Sequence, residues 1–405
     1  MDFALTPSQE AFAREFRAYL DRHLTPEIRE ESRRFLNMSK RTDPGTFGRG
    51  EYGGPKSKQF VLRLGRDGWL GVGWPKEYGG QGRSPMEQHL FFEIIYGERA
   101  PFPVLTLNAI GPTIMRFGTE EQKRFFLPRI LRGELEVCIG YTEPNAGTDL
   151  FSLTTSAVRK GDHYIINGQK VFTSIAHIAD YIWLAARTDP DPSKKHRGVS
   201  LFLIPIDTPG IAITPIYTLG GHRTNAVFFD EVKVPRSCLI GEENRGFEAI
   251  VYQLDRERIA LVASSPMTRR IRKAIEWARE TRINGKPVIE HPGVKTRIAE
   301  LLAEVEVLKL LNFRVVDNMT KGLPVWAEAS TVKVFGSELN IKINATLLEI
   351  FGPYGQIQSP DPLAPAEGLV EEHFRDDLIF IFGGGANEVQ RDIIAMVGLG
   401  MPRSR

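Results

Sequence analysis

The spacing of hydrophobic and polar residues divides this chain into three stretches that differ in their periodicity. From residue 1 to about 134, apolar residues recur at helical intervals, as at Phe12, Phe16 and Leu20. A polar cap at Thr119, followed by two acidic residues, leads into a further helical pattern. The first stretch is therefore predicted to fold as helices.

From about residue 135 the pattern changes to short β-branched and aromatic runs separated by Gly, Pro and Asp, as in a small antiparallel barrel or sandwich. The runs are His163–Gly168, Tyr181–Ala186, Gly198–Ile204, Ile211–Thr214 and Ala226–Phe229. Beyond Gly241 long helical patterns return. Helices, then strands, then helices predict an α+β fold of three domains, over residues 1–134, 135–240 and 241–405.

Composition narrows the range of functions. The 405 residues carry 52 Lys and Arg against 50 Asp and Glu, and a net charge of +2 gives no electrostatic case for nucleic acid. Cys138 and Cys238 lie far apart and the eight histidines are scattered, so neither a disulfide nor a metal site is predicted. Because the sequence lacks a signal-like start and an apolar run of about 20 residues, we expect a cytoplasmic protein without a membrane span.

Two segments are candidates for chemistry. Val137–Tyr141 reads as a strand, and a polar, irregular loop runs from its end to Asp149. Such a loop directs N–H groups and hydroxyls to one place, which suits a flat ring edged with carbonyls and nitrogens. On composition alone an ordinary polar turn is the simpler interpretation, because the same residue types fill most turns.

The second segment is the helix predicted from Gly246. Its apolar stripe consists of Phe247, Ile250, Val251, Leu254 and Leu261. Glu257 and Arg258 fall on the same stripe, where charge is costly unless it is paired or serves a ligand. Spacing alone leaves two interpretations equal: a functional carboxylate, or a mutually paired cluster of residues 256–258.

The order of residues in the loop favours a cofactor site. Thr142-Glu-Pro-Asn-Ala-Gly-Thr-Asp149 resembles the flavin-loop signature of the acyl-CoA dehydrogenase family. Further segments follow in the family's order: Trp74–Gly82, Phe117–Lys123, Asn167–Ser174, Val227–Pro235, Gly352–Gly355 and Asn387–Arg391. The resemblance implies an N-terminal helical domain, a middle β-barrel domain and a C-terminal four-helix bundle. It also implies an FAD-dependent enzyme that converts acyl-CoA to trans-2-enoyl-CoA and passes electrons to an electron-transfer flavoprotein.

The resemblance places the cofactor on specific residues. The predicted FAD-binding residues are Ile139, Tyr141, Thr142, Gly147, Thr148, Phe172, Thr173, Ser174, Arg282, Glu349, Gly352, Asn387 and Glu388. Thr148 also matches a position that contacts the acyl-CoA. For Phe172, a core aromatic is about as good an interpretation of the pattern as a flavin contact.

The reaction needs a base, because the α C–H bond of a thioester is a weak acid. In most of the family the base is a Glu near the C-terminus, and that position falls on Gly384 here. A branch of the family carries it on a Leu-Asp-x-Glu-Arg helix, which matches residues 254–258 and makes Glu257 the predicted base. Asp255 and Arg258 match substrate contacts. Glu388, the carboxylate nearest the vacant position, is interpreted as structural or cofactor-binding.

Some family positions that reach the FAD of a neighbouring subunit are not matched. Thr281 stands in place of an Arg at the FAD pyrophosphate, Asn284 in place of a Phe, and Ala386 in place of a Thr. Either Arg282 takes the phosphate role, or a different subunit completes the site. The expected assembly is accordingly a homotetramer, as a dimer of dimers, or a heterotetramer of the steroid side-chain type. A non-catalytic partner subunit that completes a neighbour's site is one alternative. A flavin monooxygenase or nitroalkane oxidase on the same fold is another, and the match at residues 254–258 argues against it.

Overall fold

The structure is a computed structural model that describes residues 4–36, 53–221, 223–260 and 262–403. Its α-helices are α1 (Pro7–His23), α2 (Pro26–Leu36), α3 (Pro55–Arg66), α4 (Pro85–Gly97), α5 (Gly111–Phe117), α6 (Glu120–Leu131), α7 (Gly246–Ala260), α8 (Ser265–Glu280), α9 (Pro292–Thr320), α10 (Trp326–Phe351), α11 (Leu369–Asp376) and α12 (Asn387–Ile393).

The strands lie mainly between α6 and α7. They are β1 (Val137–Gly140), β2 (Ser156–Lys160), β3 (His163–Lys170), β4 (Tyr181–Arg187), β5 (Val199–Pro205), β6 (Ile211–Tyr217), β7 (Arg223–Pro235), β8 (Leu239–Ile240), β9 (Arg282–Ile283) and β10 (Lys286–Pro287). One eight-stranded mixed sheet has the order β6-β7-β3-β2-β4-β5-β8, and β1 pairs with β4 in parallel. Strands β9 and β10 form a separate antiparallel hairpin.

The chain divides into two compact units, which we call the sheet unit and the bundle unit. The sheet unit consists of His23–Gly82 and Pro101–Glu257, and its core is built on β3, β4, β5 and β7. The bundle unit consists of Met1–Arg22, Arg83–Ala100 and Arg258–Arg405, and its core is built on α8, α9 and α10. Each unit therefore has a hydrophobic core of its own.

Local sequence explains where the elements begin. Thr119 and Gln122 form a capping box at the start of α6, and Ser84 with Glu87 forms another at α4. The interiors of β4 and β5 are buried throughout, which fits their runs of β-branched and aliphatic residues.

The predicted α+β class is confirmed. The five predicted runs correspond to strands β3 to β7, except that Gly198 precedes β5. The division into three domains at residues 134 and 240 stays a prediction. Among the described helices, none has an apolar segment long enough to cross a bilayer.

Candidate flavin and substrate site

The candidate loop, which follows β1, is joined to the end of β3. Strand β1 runs beside β4, with Ile139 opposite Trp183, and the loop begins at Tyr141 directly after β1. The N–H of Val171, the first residue after β3, donates to the carbonyl of Thr142 at 2.8 Å. The structure thus brings the two predicted cofactor-binding segments, 139–148 and 172–174, together at one end of the sheet.

A buried ion pair holds this end of the sheet together. The ammonium of Lys170 lies 2.7 Å from a carboxylate oxygen of Glu143, and their side chains are 0% and 5% exposed. The carboxylate also accepts hydrogen bonds from the N–H groups of Thr154 and Thr155. Lys170 donates in addition to the carbonyl of Tyr141 at 3.1 Å. The Glu of the Thr-Glu-Pro motif therefore anchors the loop from inside.

The ionisation of this pair follows from its surroundings. Burial raises the pKa of Glu143, but the charge of Lys170 and the hydrogen bonds outweigh it and lower the pKa to about 2. Burial lowers the pKa of Lys170 to about 8 against the opposing attraction of Glu143. Both groups are therefore charged at neutral pH.

Phe172 is presented to solvent in a strained conformation. Its φ of 56° lies in the left-handed region, which is unfavourable for an aromatic residue, and 62% of the residue is exposed. The next residue is held on both sides: Thr173 N–H donates to the Asn225 carbonyl, and the Asn225 side-chain amide donates to the Thr173 carbonyl, each at 2.9 Å. The exposed ring is thus fixed by buried neighbours, which weighs against the interpretation of Phe172 as a core residue.

A second strained residue and a neutral histidine lie beside Phe172. Ile175 also has a positive φ, of 59°. Burial, reinforced by the charge of Arg223, lowers the pKa of His177 to about 4, so this histidine is neutral at physiological pH. Its Nδ1 faces the amide of Asn225 at 3.3 Å. Backbone strain of this kind is typical of ligand sites.

These features fit a flavin. The exposed face of Phe172 offers a flat apolar surface for a ring. The buried hydroxyl of Thr173 has no hydrogen-bond partner among the described residues. Gly147 and Thr148 are exposed, and a side chain built on Gly147 would meet no atom within 4 Å. An aromatic face, an unpartnered hydroxyl and open space at Gly147 are compatible with a bound isoalloxazine.

Helix α7 is bonded to the same loop. The indole N–H of Trp183 donates to the phenol oxygen of Tyr141, and the phenol donates to the side-chain carbonyl of Gln253 on α7, each at 2.9 Å. The backbone of α7 continues through residue 257 to Ala260. The side chains of Asp255, Glu257 and Arg258 lie outside the part of the chain that the structure describes.

The remaining predicted residues belong to the bundle unit. Asn387 is 2% exposed, and its amide contacts Lys333, Ser337 and Glu338. Glu388 is exposed in the first turn of α12. The described contacts of the Asn387 side chain all lie within this unit, and its role in cofactor binding stays a prediction.

Three further predicted cofactor residues are solvent-exposed. Arg282 lies in the β9–β10 hairpin and donates to the carbonyl of Gly285 at 3.0 Å. Glu349 pairs with Arg297 of α9, and Gly352 caps α10 with a φ of 59°. These three residues therefore differ from Glu143, whose carboxylate is buried and bonded to Lys170, Thr154 and Thr155.

The turn before α12 carries no side chain at the family's usual base position. Gly384 has a φ of 69° and Gly385 a φ of 101°, both in the region that favours glycine. The ammonium of the buried Lys333 donates to the carbonyl of Gly385 at 2.6 Å and fixes the turn. A Glu at residue 384 would therefore have to adopt a strained backbone.

One cluster in the bundle unit resembles a metal site in composition only. His373, Asp376 and Asp377 bring ligand-type atoms within 4.8 Å of one another. However, Asp377 forms a buried ion pair with Arg270 at 3.2 Å and accepts a hydrogen bond from Asn344. A cation there would face a buried guanidinium, so the arrangement is better explained as an ion-pair network.

Comparison with known proteins identifies the family. Profiles described as the acyl-CoA dehydrogenase N-terminal, middle and C-terminal domains match residues 6–134, 138–232 and 244–399. The chain belongs to the acyl-CoA dehydrogenase family, whose members are FAD-dependent oxidoreductases. The resemblance predicted from the sequence is thereby confirmed, as are the enzyme class and the cofactor.

Individual relatives span the whole chain. Acyl-CoA dehydrogenase FadE26 of Mycobacterium tuberculosis is 45% identical over 411 residues and covers 100% of both chains. The ChsE4-ChsE5 complex of the same organism contains a chain 44% identical, with a TM-score of 0.89 over 100% of both chains. The Tcur3481-Tcur3483 steroid ACAD is 42% identical, with a TM-score of 0.88 over 100% of both. These structures confirm the acyl-CoA dehydrogenase fold.

Sequence reasoning missed the residues that support the site. Lys170 and Asn225 lie inside or beside quoted motifs, yet nothing in the spacing paired them with Glu143 and Thr173. Gln253 offered a clearer signal, because it lies at the edge of the apolar stripe predicted for this helix, where a polar amide needs a partner.

Proposed function

We propose that this chain catalyses the α,β-dehydrogenation of an acyl-CoA thioester to the trans-2-enoyl-CoA, with Glu257 as the base. Bound FAD supplies the acceptor for the β hydride. Glu257 removes the α proton, while Thr148, Asp255 and Arg258 contact the acyl-CoA. The electrons then pass to an electron-transfer flavoprotein.

One observation carries the proposal: α7 is bonded through Gln253 to Tyr141, the first residue of the loop. Glu257 follows Gln253 by four residues, so both lie on one face of the helix, one turn apart. The predicted base is thus on the element that contacts the predicted flavin loop. The left-handed backbone of Gly384 supports the same assignment, because it disfavours a side chain at the alternative position.

Glu257→Gln tests the base directly. The rate of flavin bleaching by excess acyl-CoA should fall by about 10²- to 10⁴-fold, because that is the usual contribution of a positioned general base. FAD content should stay the same. Glu248→Gln is the matched control, because Glu248 is an exposed carboxylate of the same helix that pairs with Arg245. Full bleaching in Glu257→Gln would contradict the assignment.

The electron acceptor is tested with the same protein. The substrate-reduced enzyme should transfer electrons rapidly to an electron-transfer flavoprotein and slowly to oxygen. Fast oxygen consumption would instead favour an oxidase or monooxygenase.

A second proposal concerns the assembly. Thr281 cannot supply the charge that the family's Arg gives to the FAD pyrophosphate, and Arg282 is bonded within its own hairpin. One related structure is the ChsE4-ChsE5 complex, and another is the Tcur3481-Tcur3483 steroid ACAD. We therefore infer that this chain pairs with a different subunit that completes the FAD site, and that the substrate is a bulky, steroid-type thioester.

Purification distinguishes the assemblies. The chain alone should contain little FAD, and co-expression with a dissimilar acyl-CoA dehydrogenase subunit from the same genome should yield a yellow complex. A yellow, active homotetramer from this chain alone would contradict the heteromeric proposal. It would not contradict the proposed dehydrogenation reaction. A bleaching screen with short, branched, long and steroid-like acyl-CoAs then identifies the substrate class.

A further inference from the structure

The hydrogen-bond chain through Tyr141 has a defined direction. Trp183 can only donate through its indole N–H, so the phenol oxygen of Tyr141 accepts. The phenol hydrogen is then free to point at the side-chain carbonyl of Gln253, which can only accept. Hydrogen bonds arranged in series in this way polarise and strengthen one another in a buried setting.

The three side chains of this hydrogen-bond chain, which we call the relay, are those of Trp183, Tyr141 and Gln253, and all three are buried. Trp183 and Gln253 are 0% exposed and Tyr141 is 8% exposed. A broken bond would leave a buried polar group without that partner, which is unfavourable. The relay therefore holds α7 in one rotation about its axis relative to β1 and β4.

The main chain of Tyr141 is fixed independently. Lys170 donates to its carbonyl at 3.1 Å, while the Lys170–Glu143 ion pair anchors the following residues. Tyr141 thus connects a rigid loop to a helix, with its backbone held on one side and its hydroxyl on the other.

We propose that Tyr141 and Gln253 are positioning residues that set the place of Glu257 relative to the Tyr141–Asp149 loop. Gln253 and Glu257 are one helical turn apart on one face of α7, so a helix held at Gln253 is held at Glu257. This inference rests on the proposed role of Glu257 as base. Trp183 contributes indirectly, because its hydrogen bond orients the phenol of Tyr141.

Tyr141→Phe removes only the hydroxyl. In the FAD-loaded enzyme, the maximal rate of flavin reduction by acyl-CoA should fall about 10- to 100-fold, the cost of a misplaced catalytic group. The acyl-CoA concentration for half-maximal rate should change by less than about threefold, because uniform substrate binding is unaffected. Tyr164→Phe is the matched control, because Tyr164 is a buried tyrosine of β3 that lies outside the relay, and its variant should keep the rate.

Two further measurements separate positioning from general damage. Amide hydrogen exchange of α7 in the FAD-free protein should become faster in Tyr141→Phe and not in Tyr164→Phe. The double variant Tyr141→Phe/Gln253→Met, which removes both partners of one bond, should lose no more rate than either single variant. It also keeps the test possible if Tyr141→Phe alone does not fold.

The outcomes are distinct. If Tyr141→Phe reduces the flavin at the wild-type maximal rate, the positioning role is overturned. The role is also overturned if the acyl-CoA concentration for half-maximal rate rises in proportion to the loss of rate. An active Glu257→Gln would instead overturn the proposed base. An inactive Glu257→Gln beside a fully active Tyr141→Phe removes only the present inference.

Discussion

The predicted FAD-binding residues of the sheet unit and those of the bundle unit have different surroundings. Around the loop at Tyr141–Asp149, a buried ion pair and main-chain hydrogen bonds hold a strained, exposed Phe172. At the β9–β10 hairpin, Arg282 is exposed and bonded to a carbonyl of the same hairpin. The residues around the loop, 139–148 and 170–175, which we call the ring side, are thus held in place by contacts within this chain. At the hairpin, Arg282 is exposed and locally bonded, and this is the observation behind the proposal that a neighbouring subunit completes the FAD site.

The largest effect is expected from Lys170→Met. The substitution leaves the Glu143 carboxylate buried without its cation, and breaking a buried pair from one side costs about 3–5 kcal/mol. Urea unfolding of the FAD-free protein measures the loss. The double variant Lys170→Met/Glu143→Gln should recover part of it, since no uncompensated charge remains. A loss below about 1 kcal/mol would mean that the pair does not hold the ring side together.

The second largest effect is expected from acid, because protonation of Glu143 should weaken the ring side. The pKa of Glu143 is lowered to about 2, so its contribution is complete above the ordinary value of 4.5 and is lost as the pH falls from 4.5 to 2. We expect it to amount to about 3 kcal/mol. Asp377, whose pKa is also about 2, titrates in the same range, so the comparison must be with Glu143→Gln. That variant should show a flatter dependence of unfolding free energy on pH between 4.5 and 2, and an unchanged slope would refute the assignment.

Phe172→Gly should separate stability from binding. Glycine relieves the left-handed backbone, so the FAD-free protein should gain about 1 kcal/mol. FAD affinity, measured by fluorescence titration, should nevertheless fall because the exposed ring is gone. Phe172→Ala keeps the strain and loses the ring, so it should bind FAD equally weakly without the gain in stability. Unchanged FAD affinity in both variants would argue against a flavin contact.

The smallest effect is expected at the hairpin. Arg282→Ala should change the unfolding free energy by less than about 0.5 kcal/mol, because the side chain is exposed. FAD retention in the assembled enzyme should also be unchanged if another subunit binds the pyrophosphate. Loss of FAD would assign that role to Arg282 and favour a homo-oligomer.

The periodicity of apolar residues and the order of motif residues together predicted much of the fold. The change from a 3.6-residue to a 2-residue pattern located the sheet, because each period reports which side of an element is buried. The capping residue Thr119 was likewise visible, since a cap acts over only three residues. The order of motif residues then indicated the flavin loop, which composition alone had left as a plain turn.

The supporting residues were harder to predict because their partners are distant in sequence. Lys170 meets Glu143 across 27 residues, and Gln253 meets Tyr141 across 112. Pairings of that kind depend on strand register and on helix rotation, which a local pattern does not contain. The left-handed conformation of Phe172 was also invisible, since side-chain preference argues against it.

The glycine turn before α12 bears on how such an enzyme can change over time. Because Gly384 has a φ of 69°, a codon change to Glu at this position would introduce a carboxyl group on an unfavourable backbone. A Glu there would carry the cost of a left-handed backbone, about 1–2 kcal/mol, in a turn whose next carbonyl is held by Lys333. On the proposal that Glu257 is the base, a return of the catalytic carboxylate to residue 384 is therefore opposed by the conformation of the turn.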